Sequence, residues 1–460
     1  MFLKRRSYFE KYDKILYLPI EIHSREFHAK LHLAFQASQK GWIVLIGPEY
    51  DVNKLAKYMP PGVYFGNGFH NKATKISKIL KKSGHSIILQ DEEGLVRWSP
   101  DLYKEYRINP KIYKYTDHFL CWGEEDKAII ESAFKTNIKA SAIGNLRFDL
   151  LSRDLRKVFL KNVNDIKNEN GEFILINGNF GRTNHINGEA YYINDIKLRG
   201  WLDTPSKKKY QFQGIEFQKK IFEKMIELSI DIAKSGQKVV VRPHPSENIE
   251  VWRNKTRNYS KNIKIIRSGN VIPWLMASKF VIHNGCGTAI EGLLLNKKII
   301  SYRPFKNQKV ETYLPNAVSF CLETKNEVLN YIKDFTEDQS KDTKKETFVV
   351  LENYLKKNNR EEDASTRIIN LIEKLSNQKK VKILNSYLSN LKIEMSLFKS
   401  VISRIIFRKN FLYLKKKCPE LNIKQVNDIL DFFLANSNSQ SKVETFNLTK
   451  HSIVISNKIL

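Results

Sequence analysis

The chain has 460 residues, with 78 Lys and Arg against 49 Asp and Glu, and a formal net charge of +29. A hydrophobic fraction of 42% and an aromatic fraction of 11% exclude global disorder. Four scattered cysteines, Cys121, Cys286, Cys321 and Cys418, exclude a disulfide scaffold or a zinc knuckle and fit reduced thiols in a cytoplasmic protein.

The predicted elements begin with the buried strand Ile15-Leu16-Tyr17-Leu18-Pro19. A helix follows from Phe27 to Gln39, with Phe27, Leu31, Ala34 and Phe35 on one face. Trp42 to Pro48 reads as a second strand, stopped by Gly47 and Pro48. Further strands fall at Val63-Tyr64-Phe65, Ser86 to Leu89, His118 to Trp122 and Lys139 to Ile143, with a lysine-rich helix at Lys72 to Lys82. The charged stretch Arg156 to Glu172 reads as helix and linker, and the pattern then restarts. Strands at Phe173 to Ile176, Lys238 to Arg242, Lys264 to Ile266, Phe280 to His283 and Lys298 to Tyr302 alternate with helices at Phe217 to Ser235, Val271 to Ala277 and Thr288 to Leu295. A polar insertion occupies 184–208. Strands spaced by helices indicate parallel, doubly wound sheets. The expected fold is α/β: two Rossmann-like domains facing a cleft, 1–155 and 170–375, with a basic helical extension over 376–460.

Candidate chemistry lies where these strands end, because ligands of open parallel sheets bind beyond the carboxyl ends. Gln90-Asp91-Glu92-Glu93-Gly94 follows the fourth strand. Three adjacent carboxylates repel one another, which raises the proton affinity of at least one and suits a general base; the alternative is a solvated acidic loop. Arg242-Pro243-His244-Pro245 follows another strand, and the two prolines fix the direction of His244. Arg242 and His244 can together hold a phosphate. In His283-Asn284-Gly285-Cys286-Gly287-Thr288 a strand turns into a helix start, a natural anion site. Glu291 lies one turn further, in reach of a ribose or of the helix cap. Asn179, in Asn177-Gly178-Asn179, ends the first strand of the second domain. Glu21, His23, Arg25 and Glu26 open the first helix and can contact an acceptor; Glu26 and His23 can equally cap that helix. No Asp-x-Asp motif is present, and no metal is expected.

Taken together, these motifs resemble GT-B glycosyltransferases, in particular bacterial sialyl- and Kdo transferases that use CMP-sugars. The acidic-acidic-Gly motif of that group falls on Glu92-Glu93-Gly94, the His-Pro motif on His244-Pro245, and the hydroxyl at a helix start on Thr288. Tyr17-Leu18-Pro19-Ile20-Glu21, Gln90 to Gly94, Gly144 to Leu150 and Arg242 to Pro245 also resemble a family of surface carbohydrate biosynthesis proteins, over the chain to about residue 375. The resemblance implies Glu92 or Asp91 as the base for an acceptor hydroxyl, with His244 stabilising or protonating the departing CMP. It implies donor contacts from Arg242, Pro245, Asn179, Asn284, Gly285, Gly287, Thr288 and Glu291, and acceptor contacts from Glu21, His23, Arg25 and Glu93. A CMP-sugar is then co-substrate, no cofactor is needed, and the acceptor is a surface polysaccharide or lipid-linked glycan. A UDP-sugar transferase or 2-epimerase and a CDP-polyol phosphotransferase are the competing enzyme readings. Nucleic acid is not the expected partner, because no nucleic-acid module is recognisable.

Part of the charge is concentrated. From 379 to 417 there are eleven Lys and Arg and one acid, Glu394, interleaved with apolar residues at spacings of 3 and 4, as in a basic amphipathic helix. No apolar run approaches the ~18–20 residues of a membrane span. The expectation is a cytoplasmic enzyme held peripherally on an anionic membrane surface by this segment.

Overall fold

The computed structural model describes residues 9, 11–97, 99–334, 348–358, 362–376, 417–437 and 441–457. They fall into two units. One comprises residues 1–94, 107–158 and 355–460; the other comprises 95–106 and 159–354.

In the first unit, strands β1 (Ile15–Ile20), β2 (Ile43–Pro48), β3 (Val63–Asn67), β4 (Ser86–Gln90), β5 (His118–Cys121) and β6 (Ala140–Ala142) form parallel pairs in the order β2-β1-β3-β4-β5-β6. Every residue of β1 and β2 is buried. That is why both read as unbroken apolar runs, since a parallel sheet is covered on both faces. The order reverses between β1 and β3. Glu21 and Asn67, which end these strands, therefore lie at the switch point where such sheets bind ligands.

The second unit has six parallel strands: β7 (Ile174–Asn177), β8 (Val239–Arg242), β9 (Ile263–Ile265), β10 (Phe280–His283), β11 (Lys298–Tyr302) and β12 (Phe320–Leu322). Their order, β12-β11-β10-β7-β8-β9, is the Rossmann order, with the switch point between β7 and β10. Phe180, Phe222 and Trp252 pack in its core, with Phe180 and Trp252 each 5.0 Å from the Phe222 ring. The two doubly wound α/β units expected from the sequence are present.

The insertion is more ordered than its polarity suggests. It contains a helix at Glu189–Leu198, and the following helix starts early, at Pro205, and runs to Lys234. Thr204 caps it, its hydroxyl accepting from the Lys207 amide at 3.2 Å, and Pro205 supplies a fixed φ at the first position.

The end of the chain departs from the expected boundaries, because it returns to the first unit. Asp149 accepts from the amides of Ala364 (3.0 Å) and Ser365 (2.9 Å), from Ser365 Oγ (2.6 Å) and from Asn358 Nδ2 (2.7 Å), and so caps the helix Ala364–Ser376 from another element. Strands β13 (Val443–Asn447) and β14 (Ile453–Asn457) form a hairpin whose β14 pairs antiparallel with β2. Asp51 accepts from Thr449 Oγ1 (2.6 Å) and Ser452 Oγ (2.7 Å) and fixes the hairpin turn. A Cβ on Gly47 would run into Ser452, so this join requires glycine there. Residues 377–416, nearly all of the proposed basic helix, lie outside the described residues. Among the described residues no helix is long and apolar enough to cross a membrane.

Candidate functional site

At the carboxyl edge of the first sheet, the three successive carboxylates after β4 have three different environments. Asp91 is buried and gripped by Arg107, with Nη2 to Oδ1 at 2.6 Å and Nε to Oδ2 at 3.1 Å. Burial alone would raise its pKa, but the guanidinium overcomes this and holds the carboxyl below its ordinary value. The Asp91 carbonyl accepts from Trp122 Nε1 at 2.6 Å and from the Gly94 amide at 3.1 Å. Glu93 is half exposed and pairs with Arg25 (3.0 Å) and Arg107 (3.1 Å).

Glu92 differs from both. It is 5% exposed. Among the described residues its carboxylate receives one hydrogen bond, a long one of 3.5 Å from Asn145 Nδ2. Burial, and then the carboxylate of Glu26, raise its pKa above the ordinary glutamate value. Its backbone is fixed: the Glu92 amide donates to Asn67 Oδ1 at 3.3 Å, and Asn67 Nδ2 donates to Glu21 at 2.9 Å. Asn145 is held in turn by Gln90, at 3.1 Å. The environment thus separates one proton-accepting carboxylate from two committed ones.

The helix His23–Gln39 lies beside this loop. Glu26 reaches back to the amides of Glu21 (3.1 Å) and Ile22 (3.2 Å), in the manner of a capping box. Arg25 Nη2 and Lys30 Nζ each donate to it at 2.9 Å. Burial opposes its ionisation, but Lys30 and Arg25 hold the Glu26 carboxyl down at about 2. His23 stacks on Phe27 at 4.4 Å, and burial lowers its pKa to about 4, so the ring is neutral.

At the switch point of the second sheet, Asn177 Nδ2 donates to Thr288 Oγ1 (2.8 Å) and Asn179 Nδ2 to the Gly285 carbonyl (3.3 Å), joining the loops after β7 and β10. Asn284 donates to the Tyr302 carbonyl (3.2 Å), and Glu291 is buried in the helix Thr288–Leu294. Gly285 has φ +61, a left-handed conformation that favours glycine. Among the described residues the amide of Gly287 has no acceptor, while the Thr288 amide donates to the Cys286 sulfur. The loop after β8 is organised by Glu247, which is fully buried and accepts from the amides of His244 (2.8 Å) and Phe180 (3.1 Å) and from Trp252 Nε1 (2.9 Å). Nδ1 of His244 accepts from the Ser246 amide at 3.2 Å and lies 2.7 Å from Ser246 Oγ. That places the proton of a neutral imidazole on Nε2, as a donor. Pro245 closes this turn, and Arg267 reaches its carbonyl at 3.5 Å. Arg242 is already committed. It donates to the carbonyls of Ser268 (2.7 Å) and Gly269 (2.9 Å) and lies 5.1 Å over Trp274, and burial lowers its pKa to about 10.

Sequence reading offered Glu26 as an acceptor contact or a helix cap, and did not assign roles to Lys30, Asn67, Arg107, Asn145 or Glu247. Only Glu26 and Lys30 carried a local signal, an i,i+4 pair of opposite charge. Away from both switch points, His32, Asp149 and Asp363 bring metal-ligand atoms within 4.8 Å of one another. Asp149 is occupied as a helix cap, and Asp363 Oδ1 accepts from the Thr366 amide and hydroxyl, both at 2.7 Å.

No protein-family model matches the chain, and no curated protein does. Similar solved structures include a UDP-GlcNAc 2-epimerase of Methanocaldococcus jannaschii in complex with UDP-GlcNAc and UDP (TM-score 0.47, 14% identity, 78% of this chain and 99% of that one). They also include the wall teichoic acid polymerase TagF (0.49, 11%, 82% and 94%) and a putative UDP-N-acetylglucosamine 2-epimerase of Listeria monocytogenes (0.47, 13%, 81% and 100%). At these values the likeness carries nothing about substrate, and the chemistry has to come from the side chains themselves.

Proposed function

We propose that the chain is a glycosyltransferase that moves a sugar from a CMP-activated donor, of the nonulosonate or Kdo type, to a surface polysaccharide or lipid-linked glycan. The observation that carries this reading is Glu92, a buried carboxylate with one weak hydrogen bond and raised proton affinity, beyond the edge of a parallel sheet. In the proposed reaction Glu92 takes the proton of an acceptor hydroxyl, and the oxygen bonds to the anomeric carbon as the bond from that carbon to the nucleotide phosphate breaks. His244 Nε2–H and the amide of Gly287 stabilise the departing phosphate. Arg242 is committed to backbone carbonyls, which suits the single charge of a phosphodiester donor better than a diphosphate.

The test is nucleotide release from a panel of CMP-, UDP- and GDP-sugars and CDP-polyols, with the product weighed by mass spectrometry. CMP release with sugar transfer is expected, reduced about 10²–10⁴-fold in Glu92→Gln and reduced also in His244→Ala. Turnover of UDP-sugars alone, or addition of a polyol phosphate, would replace this reading with one of its competitors.

A peripheral membrane location through 379–417 belongs to the same proposal. Replacing lysines of 379–416 by glutamine is expected to abolish flotation with anionic liposomes. Unchanged flotation would remove the membrane from the scheme.

A further inference from the structure

Lys30 and Glu26 form an ion pair closed to solvent, at 2% and 1% exposure. Arg25 joins it to the Glu92 loop, donating to Glu26 at 2.9 Å and to Glu93 at 3.0 Å, while Glu21, whose amide Glu26 accepts, is linked through Asn67 to the Glu92 amide. Lys30 Nζ donates to Glu26 Oε2 and to the carbonyl of Pro19, the residue before the last in β1. Such a pair contributes little net stability, because both ions lose their hydration; an apolar pair of similar volume commonly does as well or better. Burial alone would drive the proton off Lys30, yet Glu26 keeps its pKa above the ordinary lysine value, so the charge is retained inside the fold. Two fixed, opposite charges therefore sit in a low-dielectric interior, where a neighbouring carboxylate feels them strongly.

Glu92 is that neighbour. The charged groups that act on it are Glu26, Lys30 and Arg25 of the helix His23–Gln39, and Arg147 of the helix Leu146–Asp149. On its own loop, Asp91 and Glu93 are already balanced by Arg107 and Arg25, and Glu21 after β1 has Arg25 at 3.6 Å and Lys417 at 3.4 Å. Glu26 is the acid that acts most strongly on Glu92, and it pushes Glu92 towards the protonated form. Lys30 pulls it back towards the anion.

We propose that Glu26 and Lys30 are positioning residues whose paired, opposed charges set the proton affinity of Glu92, and that the pair is kept for this purpose rather than for stability. The proposal rests on Glu92 being the base of the transfer reaction. It follows that the two members of the pair act on Glu92 in opposite senses, which a shared structural role would not produce.

The test is a carbon-13 titration of glutamate side-chain carboxyls in the full chain, with the Glu92 resonance identified by its loss in Glu92→Gln. Glu26→Gln is expected to lower the Glu92 midpoint by about one pH unit or more, because Glu92 becomes the counter-charge of Lys30. Lys30→Met is expected to raise it by a similar amount, since Glu26 stays ionised through Arg25 and two backbone amides. The acid limb of the pH–rate profile should move with each midpoint. Midpoints that stay within 0.3 unit of wild type, or that move in the same direction, would overturn the proposal. If Lys30→Met does not fold, Glu26→Gln decides alone: a midpoint that fails to fall refutes it. An active Glu92→Gln would sink the base assignment while leaving the titration result standing, so the two failures are distinguishable.

Discussion

Glu247 is the side chain on which the second candidate half-site most depends, and its replacement tests the account directly. One carboxylate serves the amides of His244 and Phe180 on Oε1 and the Trp252 indole on Oε2, with the Asn184 side chain as a further donor. Glu247→Gln preserves shape and leaves one oxygen to accept the two amides. It turns an NH2 towards the indole N–H, so two buried donors face each other, at a cost of about 1–3 kcal/mol. Glu247→Ala strands these donors and opens a void, so about 3–9 kcal/mol is expected from the same per-group penalty. Against a total stability of about 5–15 kcal/mol for a native fold, the alanine variant leaves the second unit marginal. The assay is urea unfolding followed by tryptophan fluorescence, supplemented by amide exchange at 178–181 and 243–247, the two loops Glu247 joins. A loss below about 0.5 kcal/mol in the glutamine variant, within the range of an ordinary surface change, would refute the claim that this carboxylate organises the loop carrying His244.

Three further outcomes follow from the geometry. The pKa of Glu92 is raised by burial and by Glu26, so this group contributes stability in acid that is lost as pH rises from the ordinary glutamate value through the folded one. Glu92→Gln should therefore melt higher than wild type by a margin that grows as pH rises above the ordinary glutamate value and levels off above the folded one; a variant that melts lower than wild type at neutral pH contradicts this. Arg107→Lys keeps the charge but not the fork that grips Asp91 while bridging to Glu93, so loop 91–94 should lose its register and turnover should fall by up to about 10²-fold, with melting temperature little changed. Asp149→Asn sets an NH2 among four donors, and amide exchange over Ala364–Ser376 should accelerate by the equivalent of about 1–3 kcal/mol, with the second unit unaffected.

Strands buried on both faces were legible because their apolar runs need no partner to be seen. Eleven strands in all, from Ile15–Ile20 through Lys298–Tyr302, lie where the sequence put them to within a residue or two. β12 spans three residues, and β13 reads Val-Glu-Thr-Phe-Asn, polar enough to pass for a loop. The return of 355–457 to the first unit was not legible, since nothing local in Ile453–Asn457 says which sheet edge it will join. In the site, position along the chain identified the loops but not the roles within them. Asp91, Glu92 and Glu93 are equivalent until Arg107, sixteen residues on from Asp91, claims the first of them. Arg242 looked like a phosphate ligand from its place after a strand, and only the carbonyls of Ser268 and Gly269 reveal its commitment.

The hairpin pairing has a consequence for how the protein is made. Asp51 and Ser452 are 401 positions apart, so at roughly 5–20 residues per second the ribosome needs on the order of 20–80 s to supply β14 after β2 has emerged. Throughout that interval β2 is an uncovered outer strand of almost purely aliphatic sequence, a template for pairing with other nascent chains. Deleting the chain after residue 378 would make that state permanent. Such a deletion would report on the exposed edge as much as on the loss of the basic segment, which is why charge replacement within 379–416 is the cleaner way to ask what the lysines do.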